Sequence, residues 1–134
     1  MIQYITAYVA AGFAFIIIDL LWLGLVAKDL YKARLGSLMA TDIVVPAAAL
    51  FYLTYLFGII IFAVHPALQS GSWQTAAIWG ALFGFFCYMT YELTNWAVIQ
   101  GWPASLVLTD IIWGTVLTAL VSVASYLITR LIFG

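Results

Sequence analysis

Charge is what this sequence is short of. Only 7% of its 134 residues are Asp, Glu, Lys or Arg, where a water-soluble domain carries about a quarter. With 67% hydrophobic residues beside that shortage, no water-soluble surface can be assembled. The chain reads as an integral membrane protein, one compact domain by its length. Basic residues are scarce too: four Lys and Arg against five acids leave a net charge of −1. That excludes a basic face for nucleic acid. The lone histidine, His65, excludes bis-His haem, His-clustered di-iron and three-His zinc sites, which need more imidazoles. The lone cysteine, Cys87, excludes an internal disulfide, and its apolar surroundings make it a small core residue rather than a reactive thiol. Nothing in the chain calls for a cofactor or a resident metal. A basic n-region is also missing: Met1-Ile2-Gln3-Tyr4 holds no Lys or Arg. The apolar run beyond it continues to about Ala27, so a retained helix is expected, not a cleaved signal.

What is present is four long apolar runs, at about 3–27, 43–64, 73–100 and 105–131. Each exceeds the roughly 20 residues that cross about 30 Å of hydrocarbon. A lipid-exposed sheet edge is not tolerated at that depth, so the expected fold is all-α, a four-helix transmembrane bundle. In the first connection Leu30, Tyr31, Leu35 and Leu38 recur near helical spacing among Lys28, Asp29, Lys32 and Arg34. A short interfacial helix is expected there. Asp42 is the expected N-cap of the second span, with Pro46 in its first turn. His65-Pro66 should end that span and leave His65 in a loop. Ser72 should cap the third. Lys28, Lys32 and Arg34 lie in the first connection and only Arg130 at the far end. The basic bias therefore places 28–42 in the cytoplasm and both termini outside a cytoplasmic (inner) membrane. Tyr4, Trp73 and Trp102 fall near span boundaries, where aromatics anchor at the interface.

Three acids interrupt the hydrocarbon: Asp19, Glu92 and Asp110. A charge at the centre of a membrane helix costs roughly 2.5–3.5 kcal/mol on the insertion scale, so each such residue is a candidate site. Measured from the 28–42 side, Asp19 and Glu92 lie about 12 Å deep and Asp110 about 8 Å, at 1.5 Å per residue. Three helices therefore contribute carboxylates to one layer. Their faces agree. Gly80, Gly84, Tyr88, Glu92 and Trp96 repeat every four residues, and the Gly80/Gly84 step permits close helix approach. Asp110, Gly114, Thr118, Ser122 and Tyr126 form a similar small and polar stripe. Gly12 and Asp19 share a face, as do Glu92 and Asn95. The spacing of Asp19 and Trp22 is echoed by Asp110 and Trp113 in a helix of opposite direction.

No Lys or Arg lies at that depth. Either the acids hold protons, or a cation or cationic substrate joins them. The candidate proton, cation or substrate site is Asp19, Glu92, Asn95 and Asp110, with Tyr88, Tyr91, Thr109, Trp22 and Trp113 as available hydrogen-bonding groups. The plainer readings are a first-turn acid for Asp110, a structural pair for Asp19, and packing or interfacial roles for the aromatics. Glu92 with Asn95 fits a merely structural role least.

The segments Asp19-Leu20-Leu21-Trp22-Leu23-Gly24, Tyr91-Glu92-Leu93-Thr94-Asn95-Trp96-Ala97 and Asp110-Ile111-Ile112-Trp113-Gly114-Thr115 together resemble the DUF2177 family of bacterial membrane proteins. The Tyr91–Ala97 element is the most specific part. The resemblance covers nearly the whole chain and implies a small four-helix membrane protein, with no activity attached.

Three functions fit these residues. A proton- or cation-coupled transporter uses the acids as an exchange site, and four helices leave so little room for a pathway that a homodimer is implied. A non-catalytic lipid-binding or accessory subunit of a larger membrane complex uses them as structural hydrogen-bonding groups. A carboxylate-based intramembrane enzyme acting on lipid or membrane peptide uses two of them as acid and base. No Ser/His or Cys/His set supports other hydrolytic chemistry. Transport ranks first, the subunit second and the enzyme third. The partners are the bilayer and a second copy or another membrane protein.

Overall fold

The computed structural model describes residues 1–39 and 42–134; residues 40 and 41, within the expected 28–42 connection, lie outside the described residues. Helix α1 (Ile2–Trp22) passes through a wide π turn, Leu23–Ala27, into the short helix α2 (Lys28–Leu35). A single 3-10 turn, Gly36–Leu38, follows. Helix α3 (Val45–Ile59) continues through a second π turn, Ile60–Val64, into α4 (His65–Ser70). Helices α5 (Trp73–Val98) and α6 (Ala104–Phe133) complete the chain. Four stretches are long and apolar enough to cross a membrane: Ile2–Leu25, Val45–Ser70, Trp73–Val98 and Ala104–Phe133. The expected all-α bundle with a short helix after its first span is what forms.

Several local expectations change. Asp42 does not cap α3. The helix begins at Val45 after Val44, without a side-chain cap, because Pro46 fixes the first turn and itself needs no amide partner. Nor does Pro66 end the second span. The π turn before it hands the His65 amide to Ile60 O, five residues back. The widened turn absorbs the proline, which then occupies the first turn of α4. His65 is consequently helical, and its Nδ1 meets Tyr4 OH at 2.6 Å. Gly71 closes α4 with φ +67°, and Ser72 Oγ then accepts the Thr75 amide at 3.2 Å, the cap expected of it.

The most extensive pairing joins α5 to α6. Lipid tails are as apolar as leucine, so helices in a bilayer associate by close packing rather than by expelling water. Glycine supplies that closeness here. A Cβ on Gly80 would stand 2.5 Å from Ser122 Oγ, and one on Gly84 would strike the Gly114 carbonyl oxygen and Thr118. Gly114 in turn receives the ring of Tyr88. Helix α1 packs on the other side of α6 through Ala7, Ala11 and Phe15, and Ser125 Oγ donates to Ala7 O at 2.7 Å. The Tyr55 hydroxyl meets Thr118 Oγ1 at 2.8 Å and ties α3 to α6.

The bundle is not closed evenly. The backbone of helix α5 runs close to the Ile60–Val64 turn but stays away from α3, which it meets through rings such as Phe83 on Tyr55 and Gly58. The two diverge toward the end that carries the first and third connections. Two clefts border that opening.

Candidate functional site

Each acid lies six residues inside the end of its span: Asp19 before Leu25, Glu92 before Val98, and Asp110 after Ala104. At 1.5 Å per residue the three share one level about 9 Å from the span ends. Asp110 is therefore past the first turn of α6, and the helix-end reading of it does not apply. Glu92 is 1% exposed and Asp110 8%.

The acids divide into two groups. The Glu92 and Asp110 carboxyls lie within hydrogen-bonding reach of each other, brought together by the glycine-packed α5–α6 seam two turns away. Two carboxyls hydrogen-bond only when one carries a proton, since like charges in contact cannot both ionise in a low dielectric. Around the pair stand neutral donors. Trp102 Nε1 donates to Glu92 Oε2 at 2.8 Å, and Tyr31 OH donates to Asp110 Oδ1 at 2.8 Å. Trp22 Nε1 reaches Tyr31 OH at 3.5 Å. Burial, and then the Asp110 charge, push the Tyr31 phenol above its usual range, so it is held as a donor. Helix α2 thus folds its tyrosine over the pair, and Arg34 Nη1 fastens the same helix to Ser105 Oγ at 2.8 Å.

Asp19 stands apart from Glu92. Its Oδ2 accepts from Tyr52 OH at 3.0 Å, and the Trp113 indole also reaches it. Trp22 and Trp113 stack between the two groups, with ring centroids 4.3 Å apart and planes 8° from parallel. Helix geometry accounts for the stack. Long side chains lean toward the N-terminus of their own helix. Helices α1 and α6 run in opposite directions, so the two indoles lean toward each other. The echoed Asp/Trp spacing therefore has a spatial counterpart: each tryptophan serves the other helix's acid, Trp113 directly and Trp22 through Tyr31.

Other expected participants fall elsewhere. Asn95 sits beside Tyr91 on its own helix rather than on Glu92. Thr109 Oγ1 donates to Ser105 O. Trp96 is 52% exposed, because a four-residue repeat drifts about 40° per step on a helix of 3.6 residues per turn. Trp102 does not act solely as an interfacial anchor; its indole turns inward to Glu92. Sequence reasoning missed Tyr31, Tyr52 and Trp102. Among these only Tyr31 left a signal, its place on the apolar side of the short helix.

Among the described residues, no three His, Cys, Asp or Glu side chains gather closely enough to hold a metal ion, and no buried side-chain nitrogen or oxygen lacks a hydrogen-bond partner. The pair is not sealed. Asp110 borders a cleft of about 390 Å³ whose other walls are Phe51 and Tyr55 on α3 and Cys87, Tyr88 and Tyr91 on α5. Cys87 is accordingly half-buried at a cleft wall, not enclosed in the core.

The model of one family, DUF2177, described as a predicted membrane protein, matches residues 4–127. The chain belongs to the DUF2177 family. The match runs from the start of α1 almost to the end of α6 and takes in every acid described above. No curated protein and no solved structure matches the chain.

Proposed function

We propose that this protein is a proton-coupled transporter whose exchange site is the Glu92–Asp110 pair. The observation that carries the reading is a buried carboxyl pair, served among the described residues by neutral hydroxyl and indole donors, at the edge of an open cleft. Such a pair retains one proton while it is empty. A cation arriving at Asp110 supplies the missing positive charge and releases that proton, so proton and cation occupy the site in turn. Asp19, with Tyr52 and Trp113, lies outside the exchanging pair and holds α1 in register with α3 and α6. The working unit is a homodimer, with 28–42 in the cytoplasm and both termini outside the cytoplasmic membrane.

The test uses the full chain in phosphatidylcholine vesicles loaded with a pH-sensitive dye. Adding external benzyltrimethylammonium should make the interior more alkaline as protons leave in exchange. Glu92→Gln and Asp110→Asn should each abolish that response. An unchanged response in either variant removes the pair from the mechanism. Full biological function after all three acids are neutralised would leave the accessory-subunit reading.

A further inference from the structure

The cleft at Asp110 has a neighbour. A second groove, of about 720 Å³, runs along α3 and is lined by residues such as Leu50, Thr54, Phe57, Gly58 and Phe83. The two share Phe51 and Tyr55 as walls, so they adjoin as an inner and an outer arm of different chemistry. The inner arm has three tyrosines, a phenylalanine and the Asp110 carboxyl. The outer arm is apolar and faces the hydrocarbon, as the 67% exposure of Leu50 and the 59% exposure of Phe57 show. It exists because α5 leans on the Ile60–Val64 turn and leaves the first half of α3 uncovered. Phe83 is part of that arrangement: its ring occupies the space where a Cβ on Gly58 would stand.

The geometry points to a ligand that is an amphiphilic ammonium ion, entering sideways from the bilayer between α3 and α5. Its cationic head sits in the inner arm against Tyr55, Tyr88, Tyr91 and Asp110, and its alkyl tail lies in the outer arm. Aromatic faces attract an ammonium group, and a quaternary one most characteristically, when water is excluded. A carboxylate at the end of the same cleft fixes the sign of the charge. An anionic or zwitterionic headgroup would bring a negative charge onto Asp110 and Glu92 in a low dielectric. A small hydrophilic cation would leave the groove along α3 empty. The role of this occupant rests on the transport reading above, whereas its binding is measured without any gradient.

The probe is dodecyltrimethylammonium, titrated below its micellar concentration into the full chain in phosphatidylcholine nanodiscs and followed by calorimetry. Dodecyl sulfate and dodecanol are the controls. Saturable binding of the ammonium probe alone is expected. Asp110→Asn should weaken it about tenfold, the equivalent of about 1.4 kcal/mol. Thr54→Trp, a change on the lipid-facing wall that leaves the packed core untouched, should weaken the dodecyl probe while sparing tetramethylammonium, which has no tail. Equal binding of dodecanol or dodecyl sulfate, or ammonium binding indifferent to both substitutions, overturns the assignment. Specific binding in a protein that moves no protons keeps this ligand and discards the transporter. Proton exchange with benzyltrimethylammonium but no saturable dodecyl binding does the reverse.

Discussion

Gly84→Ala adds one methyl group at a point of close backbone approach in the α5–α6 seam. That methyl would overlap the Gly114 carbonyl oxygen and stand 2.6 Å from Thr118 Oγ1 and 2.7 Å from Thr118 Cβ, where ordinary contact begins near 3.4 Å. Backbone and a β-branched side chain cannot turn aside as a flexible side chain can. The helices must therefore separate by about 1 Å, and overpacking of this kind costs about 1–3 kcal/mol. Alanine also returns up to about 1 kcal/mol of helix propensity, so the net loss is smaller than the strain alone. Gly12→Ala supplies the comparison. It sits in the regular part of α1, and its methyl would meet Leu56 Cδ1 at an ordinary 3.5 Å. Reversible unfolding in mixed micelles, followed by circular dichroism, should place Gly84→Ala about 1–3 kcal/mol below Gly12→Ala. The strain should also reach the site. Glu92 and Asp110 face each other two turns along the same seam, so proton exchange should fall even where the variant remains folded. Equal stability of the two alanine variants, or a stable Gly84→Ala protein with full exchange, would refute the claim that this seam sets the carboxyl contact.

Trp102→Phe removes the 2.8 Å donor from a glutamate that is 1% exposed. It should cost about 1–3 kcal/mol in the same unfolding experiment, and stability equal to that of the parent would mean that the indole does not serve Glu92. Tyr31 provides a pH dependence. Its folded value lies above the unfolded value of about 10, so the unfolded chain loses the phenolic proton first as pH rises. The Tyr31 contribution is therefore full below about pH 10 and lost above it. Tyr31→Phe should flatten the alkaline fall in stability, and an identical alkaline slope in parent and variant would remove Tyr31 from its place over Asp110.

Much of the architecture was legible because a bilayer leaves the chain few choices. Four apolar runs define four spans, and the glycine step from Gly80 to Gly84 identifies the side of α5 that meets α6. The common level of Asp19, Glu92 and Asp110 follows from counting residues to the span ends. Which acids touch was not legible. Depth is a one-dimensional quantity, and the split between Asp19 and the Glu92–Asp110 pair depends on how α1 and α5 sit around α6. The donors were hidden for a related reason. Tyr31 and Trp102 come from connections whose direction is set by tertiary packing, not by periodicity. Tyr52 faces Asp19 through a rotation of α3 that its near-uniform hydrophobicity does not encode. Local rules also misled where a wide turn intervened. Pro66 has the appearance of a helix terminator until the Ile60–Val64 turn shifts the hydrogen-bond register ahead of it. Asn95 shares a helix face with Glu92 by spacing, yet it sits beside Tyr91, four residues back.

The central claim is that Glu92 and Asp110 hold one proton between them. Infrared difference spectroscopy of the protein in nanodiscs reads protonated carboxyl groups directly. One protonated-carboxyl stretch should be present in the parent chain, and both Glu92→Gln and Asp110→Asn should shift or remove it, because a shared proton responds to either partner. A band that responds to only one of the two substitutions, or to neither, contradicts the shared proton.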